Sequence, residues 1–188
     1  MIERLENTPF SEEDVFQLIR RSFARWGEAG LDTSLLRMTL EEYHRRLEGQ
    51  TVLVSYENDS PILGVLAFYC WKPREGMIGA YLDQIAVNPD TARKGIATDL
   101  WNKALALMKE AGVDFVESDT AIRAKWSKKW HRKNGFHITG VVSFNSNNYL
   151  SYMFRQRLSE KGPRDGLLIR TLLIVKSVIK LIRYRKFR

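Results

Sequence analysis

Apolar residues along this chain change their spacing several times, and each change predicts an element. Residues 2–6 alternate in the manner of a short first strand. Ser11-Glu12-Glu13-Asp14 forms a capping-box-like helix start, and Val15, Leu18, Ile19, Phe23 and Trp26 follow at helical spacing. Residues 27–33 break that pattern. Thr39-Leu40-Glu41-Glu42 opens a second, shorter helix that runs to about Leu47 and stops at Gly49. Residues 51–56 and 62–71 are strand-like and are joined by Glu57-Asn58-Asp59-Ser60-Pro61, a turn by composition, so they predict a hairpin. A strand over 78–87 feeds a glycine-bearing loop, and a helix over 95–111 follows with Leu100, Ala104, Leu105 and Met108 along one face. A short strand over 113–116 precedes a basic helix over 121–133 carrying Trp126 and Trp130. Two closing strands, 136–144 and 149–155, flank Asn145-Ser146-Asn147-Asn148. The order β-αα-βββ-α-β-α-ββ is a mixed α/β class without internal repeats.

Composition narrows the picture modestly. A length of 188 residues suits one domain with an appendage, and 44% hydrophobic with 28% charged residues is ordinary for a globular chain. The single cysteine, Cys70, excludes an internal disulfide framework and a cysteine-based zinc site, which points to a reducing, cytoplasmic compartment. It lies in an apolar run and reads as a small core residue. The N-terminus has no apolar signal stretch, and no run of about 18 uncharged apolar residues is present to span a bilayer.

Charge changes the picture more. Eight basic residues and one acid, Asp165, lie from Arg164 onward, so all but one unit of the net charge of +8 belongs to this tail. The body is close to neutral, which weighs against a nucleic-acid-binding domain. In the tail, Lys176, Lys180 and Arg183 fall together on a helical wheel, and Leu168, Val175, Val178, Ile179 and Ile182 share another side. Ile169 and Leu173 intrude on the basic stripe, and Arg185, Lys186 and Arg188 close the chain. Residues 166–188 thus predict a basic, partly amphipathic helix of the type that lies on an anionic membrane surface. The alternative is a helix docked on a second copy of the chain, in a homodimer.

The strongest chemical signal is the loop Arg93-Lys94-Gly95-Ile96-Ala97 between strand and helix. The first amides of a helix lack internal partners, and the helix dipole is positive there, so the loop suits an anion. Gly95 clears the approach, Ala97 keeps the next turn small, and Arg93 and Lys94 add positive charge. The spacing matches neither a Walker loop nor a dinucleotide-binding Gly-x-Gly-x-x-Gly loop.

Together with Ile85-Ala86-Val87 before it and Asn88-Pro89-Asp90-Thr91-Ala92 leading in, this loop resembles the acetyl-CoA loop of the GNAT superfamily of N-acetyltransferases. Ala92 stands where that family usually has Arg or Gln, with Arg93 beside it. Trp130-His131-Arg132-Lys133-Asn134-Gly135-Phe136 resembles the family's second motif, Phe-Tyr-x-x-x-Gly-Phe. The resemblance covers residues 1–157, leaving 158–188 as a separate tail. It implies a mixed, splayed β-sheet flanked by helices, with acetyl-CoA as co-substrate and no metal. The backbone of Ile85, Ala86 and Val87 would bond the pantetheine arm, and the amides of Arg93, Lys94, Gly95, Ile96 and Ala97 would hold the pyrophosphate.

The resemblance also implies an acid at His131, in place of the usual tyrosine, that protonates the departing thiolate as an imidazolium. Asp83 shares a strand face with Tyr81 and Ile85. It is either a group that orients or deprotonates the amine, or a carboxylate paired with a nearby Arg or Lys. Glu117 and Asp119 are further candidates for holding a cationic substrate. Arg123, Lys125, Lys128, Lys129, Arg132 and Lys133 form an acid-free cluster, part facing coenzyme phosphates and part solvated, while the two tryptophans face the core. His44 reads as a solvated surface residue. The chain is thus expected to transfer an acetyl group to a primary amine by direct attack. The acceptor is a small molecule or a lipid-linked amine such as an amino sugar, met at the cytoplasmic membrane face. The competing reading is a catalytically inactive acyl-CoA-binding or membrane-interaction module.

Overall fold

The computed structural model describes residues 1–58 and 60–185. Seven strands form one sheet in the order β1-β2-β3-β4-β5-β7-β6. They are β1 (Ile2–Arg4), β2 (Thr51–Ser55), β3 (Gly64–Arg74), β4 (Met77–Val87), β5 (Phe115–Ala121), β6 (His137–Ser143) and β7 (Leu150–Arg157). The helices are α1 (Glu12–Glu28), α2 (Ser34–Arg37), α3 (Leu40–Leu47), α4 (Ile96–Glu110), α5 (Lys125–Lys133) and α6 (Leu167–Arg185). All pairs are antiparallel except β4 with β5, which is parallel over Gly79–Leu82 against Phe115–Ser118. This is the mixed, splayed sheet expected from the sequence.

Local chemistry explains where the helices begin. Ser11 and Asp14 close a full capping box on α1, and Thr39 and Glu42 close another on α3. Each cap contributes about 1 kcal/mol. Val15, Leu18 and Ile19 of α1 and Tyr43 and Leu47 of α3 then bury against β2 and β3 on one sheet face. Leu100, Trp101, Ala104 and Met108 of α4 bury on the other face with Leu82, Val116 and Phe154. Burial of each large apolar side chain contributes about 1.5–3 kcal/mol.

Several expectations need correction. β5 runs on to Ala121 rather than ending at Val116, and α5 begins at Lys125, because 119–121 stay paired with β7. The single turn of α2 lies between the break at 27–33 and the second helix, where no element is expected. Cys70 is exposed, since β3 projects beyond its core half from Tyr69 onward. Trp126 is also exposed (39%) and meets Trp26 edge-on beneath Arg25, while Trp130 does pack inward on Trp101 and Phe136. Asp59, Lys186, Arg188 and the side chains of Lys180, Arg183 and Arg185, all part of the sequence expectations, lie outside the described residues.

The helix expected in the tail forms as α6 and lies along β6, the last strand of the sheet. An outer strand presents unpaired amides, and the Val141 amide donates to the Ser177 hydroxyl of α6 at 2.9 Å. The start of α6 is held by Asp165, which is buried and accepts from Arg155 at 2.9 Å and from His137 at 3.0 Å. The opposite side of the helix carries Leu168, Leu172, Val175, Ile179 and Ile182, all exposed. Among the described residues no helix is long and apolar enough to cross a membrane.

Candidate active site

The site begins where the sheet parts. β4 and β5 share a ladder only as far as Leu82 and Ser118, so the following residues of the two strands diverge. On its other edge β4 remains paired with β3 through Ile85, Ala86 and Val87. One register shift falls here: Phe68 faces Leu82 but Ala67 faces Gln84, so Asp83 is an extra residue, a β-bulge. The backbone of 83–87 is therefore open toward the gap, apart from the Val87 carbonyl, which accepts from Ser22 at 2.8 Å.

The phosphate loop sits at the end of β4. Arg93 and Gly95 both have positive φ, 71° and 86°. Arg93 is the one non-glycine residue in that region among the described residues, a costly conformation of the kind kept at ligand sites. The amides of Arg93, Lys94, Gly95, Ile96 and Ala97 find no backbone acceptor among the described residues. Free amides at the positive end of a helix suit an anion. Gly64 on β3 lets this helix approach closely: a Cβ there would lie 2.7 Å from Ile96 Cγ2. Open backbone, orphan amides and exposed Arg93 and Lys94 fit a coenzyme with a pyrophosphate and a pantetheine arm.

A cavity of about 110 Å³ fills the splay and is lined from both sheet faces. From the α4 side come Leu82, Ser118 and His131. From the α1/α3 side come Asp83, Asp119 and Arg46, and Phe23, Trp26 and Tyr149 form an aromatic wall. The turn between β6 and β7 closes one side. Asn147 accepts from the Ser34 amide at 3.2 Å, Asn148 accepts from the Asp32 amide at 2.8 Å, and Arg37 bonds both Asp32 and the Ser146 carbonyl.

Asp83 is bound by Arg46 through two bonds of 2.7 and 2.6 Å, with Gln50 adding one at 3.1 Å. That is the paired-carboxylate arrangement held open by the sequence. Glu117 is likewise engaged, by Arg155 at 2.6 Å. Asp119 has no cationic partner within ion-pair distance among the described residues and accepts from the Tyr81 hydroxyl at 2.7 Å. Its burial raises the carboxyl above the usual range, with the Tyr81 bond opposing. Among the described residues, no group of three His, Cys, Asp or Glu is placed to hold a metal ion.

His131 differs from expectation in its charge. It is 2% exposed, stacks on Phe154 and meets the Ser127 carbonyl with Nδ1 at 2.9 Å. A carbonyl only accepts, so Nδ1 carries the proton, and Nε2 faces the Ser118 hydroxyl at 3.1 Å, whose proton is shared with the Leu82 carbonyl at 3.2 Å. Burial pushes the imidazole from 6.5 down to about 4. At neutral pH it is uncharged, so an imidazolium donor is the wrong form for this position. The unfolded chain binds this proton more readily, so stability is full above pH 6.5 and falls toward pH 4. About 3 kcal/mol is expected to be lost across that window. Denaturant titrations between pH 7 and 4 should show this slope, and a His131→Gln protein that still folds should show a shallower one.

The sequence reading missed Arg46, Gln50, Tyr81, Ser118 and the aromatic wall as parts of the site. Arg46 and Arg45 carried no signal to tell them apart. Tyr81 was visible only as a neighbour of Asp83 on the strand.

These features meet an independent likeness. The sequence profile of the Acetyltransferase (GNAT) family matches residues 12–136, and the chain belongs to that family. It is an N-acetyltransferase that uses acetyl-CoA. It is 23% identical over 147 residues to S-(2-succino)cysteine N-acetyltransferase of Bacillus subtilis, covering 77% of this chain and 89% of that one. It is 24% identical over 119 residues to an L-methionine sulfoximine/L-methionine sulfone acetyltransferase of Pseudomonas aeruginosa, covering 63% and 68%. The fold is similar to that of a PaiA N-acetyltransferase from Thermoplasma acidophilum solved with coenzyme A. The TM-score is 0.64 at 17% identity, over 84% of this chain and 99% of that one.

Proposed function

We propose that this N-acetyltransferase transfers acetyl from acetyl-CoA to a small primary amine by direct attack, with Asp119 as the proton acceptor. The observation that carries this is a half-buried carboxylate without a cationic partner among the described residues, set in a cavity lined from both faces of the sheet. The coenzyme approaches from the α4 end, where the Arg93–Ala97 amides hold its pyrophosphate and the 85–87 backbone its pantetheine arm. The amine enters from the α1/α3 side. An ammonium suits an acidic site with an aromatic wall, and both curated relatives act, by their names, on amino-acid derivatives.

Asp119 takes one proton from the ammonium, Tyr81 holds that carboxylate in place, and the freed nitrogen attacks the thioester carbon. The N–C bond forms, the C–S bond breaks, and the nitrogen's second proton leaves with the thiolate. Asp83, fixed by Arg46, orients the amine rather than accepting its proton. Neutral His131 fixes the Ser118 hydroxyl on the coenzyme side. Amine-dependent release of CoA, lost in Asp119→Asn, tests this assignment.

The domain takes residues 1–157 and the tail 158–188. α6 attaches the enzyme to an anionic membrane surface at the cytoplasmic face. Five exposed apolar side chains on one stripe, in a tail rich in Lys and Arg, have the composition of an interfacial helix. Each nearby cation contributes about 1 kcal/mol at such a surface. Full-length protein should co-sediment with phosphatidylserine vesicles, and Leu172→Glu/Ile179→Glu should weaken partitioning about tenfold or more. Equal partitioning by that variant, or a dimer whose formation masks the stripe, would contradict attachment.

A further inference from the structure

A second cavity, of about 520 Å³, lies between α6 and the sheet. α6 is tied to the sheet at two places, and Leu173, Lys176 and Ser177 line the cavity around the second. Asp165 holds its start through Arg155 and His137, and Ser177 holds its middle through Val141. The groove and the acceptor cavity share no lining residue, but a row of strand residues joins them. Asp119, in that cavity, is the cross-strand partner of Met153 on β7, and Met153 is in turn the partner of Gly140 on β6. Met153 and Gly140 both line the groove, and a Cβ at Gly140 would lie 3.5 Å from Ser177 Oγ, so α6 passes close above it. A single row across three strands therefore leads from the proton acceptor to the underside of α6, a span of about 10 Å.

The chemistry of the row changes along its length. At one end stands the half-buried Asp119. Met153, Val141 and Leu173 then present apolar surface from strand and helix. Glu117, which shares a face of β5 with Asp119, also lines the groove but is neutralised by Arg155. Lys176 is at the outer rim, exposed. A short polar amine would leave this apolar length empty.

We infer that the groove under α6 is the distal part of the acceptor site, and that the acceptor is an amphipathic primary amine. Its ammonium sits at Asp119 and its apolar chain runs over Met153 to Leu173. This rests on the assignment of Asp119 to the amine. It gives the tail a role in the chemistry, because the helix that forms the groove also carries the apolar stripe.

The test uses the full-length protein and a series of unbranched amines from ethylamine to octylamine. kcat/KM is expected to rise about threefold per added methylene until the chain reaches α6, because each buried methylene adds a roughly constant transfer energy. Leu173→Glu should flatten that slope, and Leu173→Ala should reduce it if the charged variant fails to fold. A flat slope in the wild-type enzyme, or an unchanged one in both variants, overturns the groove. Calorimetric titration of octylamine and ethylamine into the CoA-bound protein reads the same preference without turnover. Equal affinity for the two amines overturns the groove. Absent turnover with octylamine still preferred would overturn the role of Asp119 and leave the groove standing.

Discussion

Asp119→Asn is expected to lower kcat/KM for amine acetylation by about 10²–10³-fold, within the usual range for loss of a placed proton acceptor. Asparagine keeps the shape and can still meet the Tyr81 hydroxyl, so the fold and acetyl-CoA affinity should be retained. The loss should fall on kcat more than on coenzyme binding. The wild-type pH profile provides a second reading. Burial raises the Asp119 carboxyl, so the protonated, inactive form persists to a higher pH than for an ordinary aspartate. Activity should therefore rise with pH through that raised value, and Asp119→Asn should remove this limb. Asp83→Asn offers a contrast. It leaves Arg46 without its bidentate partner, and its cost should appear in stability and amine KM while the acidic limb persists.

The second large effect is expected at Gly95. Its φ of 86° is one that side chains with a Cβ rarely adopt, and β-branched ones least of all. There is room for a Cβ, since the nearest atom is Asp99 Oδ2 at 3.8 Å. The effect of Gly95→Val is therefore conformational: it turns the loop out of the αL region and misaims the orphan amides. Strain of about 1–2 kcal/mol, added to loss of one charge-assisted hydrogen bond of about 1.5–3 kcal/mol, predicts an acetyl-CoA Kd raised about 100-fold or more. Gly95 is exposed and outside the core, so the melting temperature should change by only a few degrees. Calorimetric titration with acetyl-CoA checks the first quantity and a thermal melt the second.

The parts of the site made by local chemistry were legible in the sequence. The phosphate loop is one: glycine, basic residues and a helix start are consecutive, and their meaning does not depend on distant partners. Capping boxes at Ser11 and Thr39 are local in the same way. What depends on contacts across the chain was not legible. Arg46 reaches Asp83 from a helix 37 residues away, and nothing in the order Arg45-Arg46 says which one turns inward. The bulge at Asp83 breaks period-two alternation, so Leu82 joins the α4-side core while Gln84 lies against Tyr43 of α3. Alternation alone could not separate Asp83, already paired, from Asp119, which has no cation. His131 stood at the right position in the motif, but its charge state is set by Phe154 stacking and near-complete burial. The Asn145-Ser146-Asn147-Asn148 turn is legible from its composition. Its bonds to 30–37 emerge only when the strands bring it over α2.

The decisive experiment compares CoA thiol released by the wild-type enzyme and by Asp119→Asn, with acetyl-CoA and a panel of primary amines, at two pH values. Release is expected only when an amine is present, matched one to one by acetylated amine. It should rise with pH in the wild-type enzyme and be lost almost completely in a folded variant that still binds acetyl-CoA. Equal turnover by wild type and variant would contradict the role of Asp119. Bound acetyl-CoA without amine-dependent release from any member of the panel would contradict acetyl transfer at this site.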